Sequence, residues 1–487
     1  MDILENIDMN NKTNIVLRDF QLTAVQKLCD NEKDHNIGSV LAFDMGLGKT
    51  LTFASFLLRQ REVENPSAPD LIIVPLCVLG QWKKEILRID STSDIFIYHG
   101  PKRVNDLKNC LKFPDIIICT YHCLVTRELE CYEWNRIVLD EAHTIRNGIA
   151  NEFRNLPKRV IGAYALKEKS KFRHCITGTP YNNNTNNVLS LMKFIGYDGE
   201  SVDIFIRDFV LQKTKENIMD SIISETILIG KPTDGLDDYK YLVQRYTILM
   251  NILKNKTNRI EAREMYSQAM KIMAKLRVFC DIMQMNTAKR IAIEDEDEEN
   301  DDDEEYKTYF FEEVDYSFEE KSNFYNSSIK VKTIYDKLDD MIRVVPYKRI
   351  IIFSSFVTTL NILESVINSK DDEILTFQYT GKQNREQREE IVIKFTDMEQ
   401  TRPMVLLASL GAGSCGLNLV PCSTVFLADI SMNPFDQLQA INRVHRITQT
   451  NQVNVYKFCM KSMIEENILM SHFRKIEEAK SNGLLII

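Results

Sequence analysis

Seven short runs in this chain are apolar at every position: residues 40–43 (VLAF), 71–74 (LIIV), 116–119 (IIIC), 137–139 (IVL), 350–353 (IIIF), 405–408 (VLLA) and 425–427 (VFL). A strand with one wet face alternates, whereas a strand with no polar face belongs to a parallel sheet covered by helices on both sides. The runs fall into two groups, roughly 38–180 and 349–458, which predicts two α/β lobes. Between them, residues 200–290 have no such run and space their apolar residues helically, as in Tyr246, Leu249, Ile252 and Leu253. From Glu294 to Glu305, 11 of 12 residues are Asp or Glu, a like-charged block expected to be disordered. The expected organisation is an N-terminal lobe (1–200), a helical insertion (201–290), an acidic linker (291–325) and a C-terminal lobe (326–487).

Composition narrows the class. The chain has 487 residues, 44% of them hydrophobic, enough for large cores without disulfide staples. Its 11 cysteines are scattered with no C-x-x-C pair, so a reduced, intracellular protein without structural zinc is expected. Cys119, His122, Cys123 and Cys131 form the one cluster, and it reads as core packing. The start lacks a basic n-region and apolar signal core. Residues 403–428 carry no charge, but Gly411, Gly413, Gly416, Asn418 and Pro421 argue against a membrane span. Taking the 11 acidic-tract charges away from a net charge of −9 leaves the rest at about +2, compatible with a nucleic-acid partner.

The first apolar run leads into Asp44 Met45 Gly46 Leu47 Gly48 Lys49 Thr50. Strand, glycine-bearing turn, Lys-Thr and helix is the layout of a phosphate-binding loop, with Lys49 on the β/γ oxygens and the Thr50 hydroxyl able to ligate Mg²⁺. Phe43 stands where the full G-x-x-x-x-G-K-[ST] pattern has its first glycine. About 90 residues on, Asp140 and Glu141 follow the run 137–139. Nucleotide hydrolysis needs one carboxylate for the metal and one to position and deprotonate water, roles that suit Asp140 and Glu141 respectively. His143 either couples this site to the opposite lobe or caps the turn. In the second group, Gln439, Arg443 and Arg446 are spaced so that a helix over 436–447 would put them on one face, two cations for a γ-phosphate in transfer.

These motifs, in this order, resemble the SWI/SNF-type branch of helicase superfamily two. Leu17 to Gln21 (LRDFQ) resembles its adenine-reading glutamine motif, with Gln21 in the reading position. IIVPL ending in GQW at Trp82 and then Tyr98 His99 Gly100 resemble motif Ia and its sequel; DIIICTY (115–121) resembles motif Ib. IVLDEAHTIRN (137–147) is similar to motif II, with a DEAH box, and Thr177 to Pro180 with Asn183 to motif III. Phe353 Ser354, then Ser409 to Leu419 with Asn433 Pro434, and QAINRVHRITQ (439–449) resemble motifs IV to VI. Leu276, Arg277 and Cys280 resemble the segment joining the lobes. The likeness covers about residues 15–480. Two departures are Phe43 Asp44 in place of Asp-Glu and Thr448 in place of glycine.

The resemblance implies two RecA-like lobes and a DNA-dependent ATPase using ATP and Mg²⁺. ATP would sit on Gln21, Asp44 to Thr50 and Gln439, and Mg²⁺ on Thr50 and Asp140, with Glu141, Arg443 and Arg446 catalytic. It implies translocation on double-stranded DNA, displacement of DNA-bound proteins, and a nuclear setting for transcription or repair. A DNA-binding regulator with a vestigial ATPase and a true strand-separating helicase are the alternatives. Thr120, Tyr121 and Ser409 to Gly413 are the candidate DNA-phosphate contacts. Compactness and an Asn/Lys/Ile-rich composition further resemble large-DNA-virus members such as the baculovirus global transactivators, motors without appended reader domains.

Overall fold

The computed structural model describes residues 15–145, 156–178, 185–199, 201–215, 218, 222–230, 236–254, 259–282, 318–345, 348–397, 399–413 and 419–481. They divide near residue 220 into two compact units.

The first unit is built on strands β1 (Val40–Phe43), β2 (Asp70–Val74), β3 (Ile95–Tyr98), β4 (Ile116–Thr120), β5 (Trp134–Asp140), β6 (Ser170–Ile176) and β7 (Val210–Lys213). They lie in the order β3-β4-β2-β5-β6-β1-β7, and every pairing is parallel. β1 and β5 flank β6, so the loops leaving both open at the same carboxyl edge, where open α/β sheets bind ligands. Helices α1 (Asp19–His35), α2 (Lys49–Glu64) and α3 (Leu79–Ile89) follow the entry segment, β1 and β2.

Beneath this sheet edge, near the amino ends of β2 and β5, lies a buried charge network. Arg136 of β5 donates to Glu32 from Nε (2.7 Å) and Nη2 (2.6 Å), and to Glu64 (2.8 Å). His174 Nδ1 accepts the Ser39 N–H (3.1 Å), which makes the ring the neutral tautomer that donates from Nε2 to Glu32 (2.7 Å). Burial works against the Glu32 carboxylate, but the hydrogen bonds from His174 and Arg136 outweigh it and hold its pKa down at about 2.

The second unit carries β8 (Ile223–Ile229), β9 (Arg349–Ser354), β10 (Leu375–Tyr379), β11 (Met404–Ser409), β12 (Thr424–Leu427) and β13 (Asn454–Met460). Their order is β10-β11-β9-β12-β13-β8, again all parallel. Alternate residues enter two separate cores: Ile350, Ile352, Val405, Leu407 and Phe426 on one face, Ile351, Phe353, Leu406, Val425 and Leu427 on the other. That division is why these strands are apolar at every position. The uncharged stretch 403–428 contains β11 and β12, and no described helix is long and apolar enough to cross a membrane.

Residues 201–290 are not one helical block. β7 joins the first sheet and β8 the second, while the helices Leu236–Leu253 and Arg259–Ile282 pack into the second unit's core through Leu242, Leu276 and Phe279. β8 (ISETILI) is an edge strand with Ile223, Ser224, Glu225 and Leu228 exposed, so its sequence has no continuous apolar run. The acidic tract, Arg146 and Asn147, Thr179, Pro180 and Asn183, and Gly416, Leu417 and Asn418 lie outside the described residues.

Candidate nucleotide site

β1 runs fully buried to Phe43, the chain turns through 44–48, and α2 begins at Lys49. Gly46 and Gly48 adopt φ of 89° and 80°, the left-handed region that glycine enters without steric cost. Gly48 is the N-cap of α2; it offers no side-chain cap, and the first turn holds no acid. The positive end of the helix is thus offset neither by a capping side chain nor by an acid of its own first turn, as suits an anion site. A β-carbon on Gly48 would stand 2.6 Å from Gln21 Nε2. Gln21 itself is buried, its Oε1 accepting the Arg18 N–H (2.9 Å) and its Nε2 donating to the Leu47 carbonyl (3.1 Å). The structure therefore shows this glutamine pinning the loop.

Lys49 Nζ donates to the Phe43 carbonyl at 2.9 Å, folding back along the loop. A β-carbon on Gly178 would come 3.3 Å from that ammonium and 3.0 Å from Met45 Cγ, so glycine there keeps the lysine's path open. Asp44 Oδ2 accepts the Lys215 N–H (2.9 Å), tying the loop to the end of β7. Thr50 is half-buried in the first turn of α2.

Asp140 ends β5 and is 7% exposed. Its Oδ2 accepts the Trp82 indole N–H (2.7 Å), its Oδ1 the Glu141 N–H (2.9 Å), and its carbonyl the Tyr121 hydroxyl (2.8 Å). Burial and then the neighbouring Glu141 push its pKa up to about 6, against the pull of the Trp82 bond and the Lys49 charge. Glu141 has φ of 50°, a left-handed conformation costing a non-glycine residue about 1–3 kcal/mol. The Thr144 N–H and hydroxyl both donate to its carbonyl (3.0 and 2.9 Å) and hold it there. His143 Nδ1 lies 3.3 Å from Glu141 Oε2. The buried Asp140 next to the partly exposed Glu141 offers hard oxygens that fit Mg²⁺, the ion that would relieve their repulsion. No group of three or more His, Cys, Asp or Glu among the described residues is arranged to hold a metal by itself.

In the second unit the helix Pro434–Ile441 carries Gln439, half-buried, but stops before both arginines. Arg443 and Val444 N–H groups donate three residues back, to Ala440 and Ile441, and the Arg443 carbonyl turns away to accept Leu419 N–H (3.2 Å). Gln449 Nε2 donates to the carbonyls of Val420 (2.8 Å), Cys422 (2.9 Å) and Val444 (3.4 Å), pinning the turn to the approach to β12. Arg443 and Arg446 thus sit on a tightened turn with Val444 and His445 buried between them, in place of the single helical face expected over 436–447.

The expected DNA-phosphate contacts at Thr120 and Tyr121 are both buried, at 4% and 6% exposure. Tyr121 is engaged on Asp140, and Thr120 Oγ1 meets Cys123 Sγ at 3.4 Å. Ser409 ends β11 half-buried, and Gly411 is exposed in the short helix that follows. Trp82 and Tyr121 are site residues whose roles sequence reading missed: an aromatic amid apolar neighbours carries no mark of its polar tip's partner.

Family models match in the same two places. An SNF2-related domain matches residues 20–220, and a helicase conserved C-terminal domain matches 333–448. Residues 20–220 are an SNF2-related domain. Among SNF2-related proteins the chain is 27% identical to the ISWI chromatin-remodeling complex ATPase ISW2 of Saccharomyces cerevisiae, over 94% of this chain and 40% of that protein. It is 27% identical to the ATP-dependent helicase fft1 of Schizosaccharomyces pombe, over 93% of this chain and 52% of that protein. The solved Sulfolobus solfataricus SWI2/SNF2 ATPase core in complex with dsDNA aligns over 95% of this chain and 92% of that one, at 23% identity and a TM-score of 0.40. The chain spans about half the length of the curated relatives it matches. The two curated relatives named are yeast proteins, and the viral likeness stays an expectation from composition.

Proposed function

We propose that this chain is a DNA-dependent ATPase that tracks double-stranded DNA and displaces proteins bound to it, in transcription or repair in the nucleus. The observation that carries the reading is the start of α2, free of a capping side chain or acid of its own, with the Lys49 charge acting on the buried Asp140 beside Glu141. Lys49 neutralises the phosphate chain, Gly46 and Gly48 let main-chain N–H groups close on it, and Gln21 sets the loop's position. Thr50 and Asp140 would hold Mg²⁺, which when bound supplies charge neutralisation on the phosphates. Glu141 orients water and takes its proton, and Arg443 and Arg446 stabilise charge on the transferred γ-phosphate, an effect worth on the order of 10³–10⁵ in rate.

Phosphate release measured with and without DNA tests the reading. Turnover stimulated by duplex, together with ATP-driven displacement of a triplex-forming third strand, is the expected result. No turnover under any condition would leave a DNA-binding regulator with a vestigial ATPase. ATP-driven separation of an ordinary duplex would make the protein a helicase in the strict sense.

A further inference from the structure

We infer that Trp82 is a positioning residue for Asp140, its indole N–H fixing the rotation of the carboxylate that takes the nucleotide's cation. The inference rests on the nucleotide-site reading above and deepens it. Trp82 lies on α3, fully buried, and its Nε1 reaches Asp140 Oδ2 at 2.7 Å from a different element of the fold. The Glu141 N–H holds only Oδ1 (2.9 Å), so without the indole the carboxylate could swing about its Cβ–Cγ bond. With both donors, each oxygen is held from one side and keeps lone-pair capacity for a cation.

The choice of side chain is informative. An indole donates and never accepts, so it neither competes with the carboxylate for a metal nor takes the proton that Glu141 must receive. Serine, glutamine or histidine in its place could ligate the metal, and histidine could also take the proton. The ring also meets Phe53 edge-on (centroids 6.5 Å, 67°), and Phe53 stands four residues beyond Lys49 on α2. One side chain therefore touches the phosphate-loop helix and the metal-side carboxylate together. Groups behind a metal ligand commonly matter 10- to 100-fold for metal affinity.

Trp82→Phe keeps the packing ring and removes the donor. Mn²⁺ binding to the ADP complex, read as loss of the free-ion EPR signal, should weaken about 10-fold. ADP affinity in EDTA should stay within about twofold, and saturating Mg²⁺ should restore most of kcat. Unchanged Mn²⁺ affinity, or an equal loss of ADP affinity in EDTA, overturns the proposal. Wild-type protein that binds no Mn²⁺ with ADP overturns the nucleotide-site reading itself.

A second measurement avoids altering Trp82. The chain has two tryptophans, and Trp134, bonded to the Leu129 carbonyl at the start of β5, sits at the opposite end of that strand from Asp140. In Trp134→Phe, Mn²⁺·ADP should quench the remaining emission and Asp140→Asn should abolish the quench. Emission indifferent to Mn²⁺·ADP overturns the proposal.

Discussion

The two units each have an all-parallel sheet, yet their buried ion pairs sit at different levels of it. In the first, Arg136 pairs with Glu32 toward the amino end of β5, and the carboxyl ends of β1 and β5 lead into the glycine turn and the Asp140–Glu141 pair. In the second, the carboxyl ends themselves are filled. Asp429, two residues beyond β12, accepts Ser354 Oγ (2.6 Å), Ser355 N–H (2.7 Å), Ser355 Oγ (2.6 Å) and Arg277 Nη2 (2.9 Å). Lys330 Nζ bridges Asp281 (2.7 Å) and Glu465 (2.6 Å), and Glu465 also takes the N–H of Met460, the last residue of β13 (2.9 Å). Gln437 Nε2 donates to the Asp429 carbonyl (3.0 Å), tying the helix before the arginines to this network. One sheet leaves its carboxyl edge to the proposed site; the other uses that edge to anchor helices and present a turn.

Four measurements press on this contrast. Glu141→Gln should leave both networks intact and ATP bound while lowering kcat about 10²- to 10⁴-fold, since an amide cannot take water's proton. Wild-type turnover in a phosphate-release assay would remove the first unit's claim to the chemistry.

Lys330→Met leaves Asp281 and Glu465 buried without their cation and should cost about 3–5 kcal/mol in urea unfolding. A loss under about 1 kcal/mol would mean that this end of the sheet is wet enough to solvate them.

The units should also answer pH with opposite signs. Glu32 is held down from 4.5 to about 2, so its contribution, about 3 kcal/mol, is present above 4.5 and lost as pH falls through 2. Burial pushes Asp281 up from 3.8 to about 7, helped by Asp429 and Glu465 against Lys330. Its contribution is complete below 3.8 and lost as pH rises through 7. Asp140 and Asp70 in the first unit are also raised, and their contributions are complete and constant below 3.8, so they add no change between 3.8 and 2. Glu128 and Asp208 of that unit are lowered as well, so Glu32→Gln is what reads the share of the buried Glu32 in the loss toward pH 2. Both tryptophans lie in the first unit, so their emission follows it alone while amide exchange follows β9 and β12 in the second. Loss of both units together toward pH 2, surviving in Glu32→Gln, would break the contrast.

The smallest effect belongs to Gly48→Ala. A β-carbon at positive φ, pressed on the Gln21 amide, should cost about 1–2 kcal/mol by thermal melting and weaken ADP binding. Unchanged melting and ADP affinity would mean that the loop is not held as tightly as Gln21 implies.

Much of this molecule was legible in its residues, and the illegible part has a common cause. Both sheets announced themselves because strands covered on two faces must be apolar throughout, and all seven apolar runs lie in strands. The turn into α2 was legible because Gly46, Gly48 and Lys49 answer a local demand, a turn at positive φ opening a helix. β8 was not, because an edge strand need bury only part of its length. The end of the Pro434–Ile441 helix was not, because what diverts it is the distant Leu419 N–H and the Gln449 amide. The sequence alone determined where the turn into α2 and the strands around the proposed site would be, since backbone conformation and continuous burial are written in adjacent residues. Only the tertiary structure decided which groups stand behind it, Trp82 on Asp140 and Arg277 on Asp429, because a hydrogen bond between residues 58 or 152 positions apart leaves no local pattern to read.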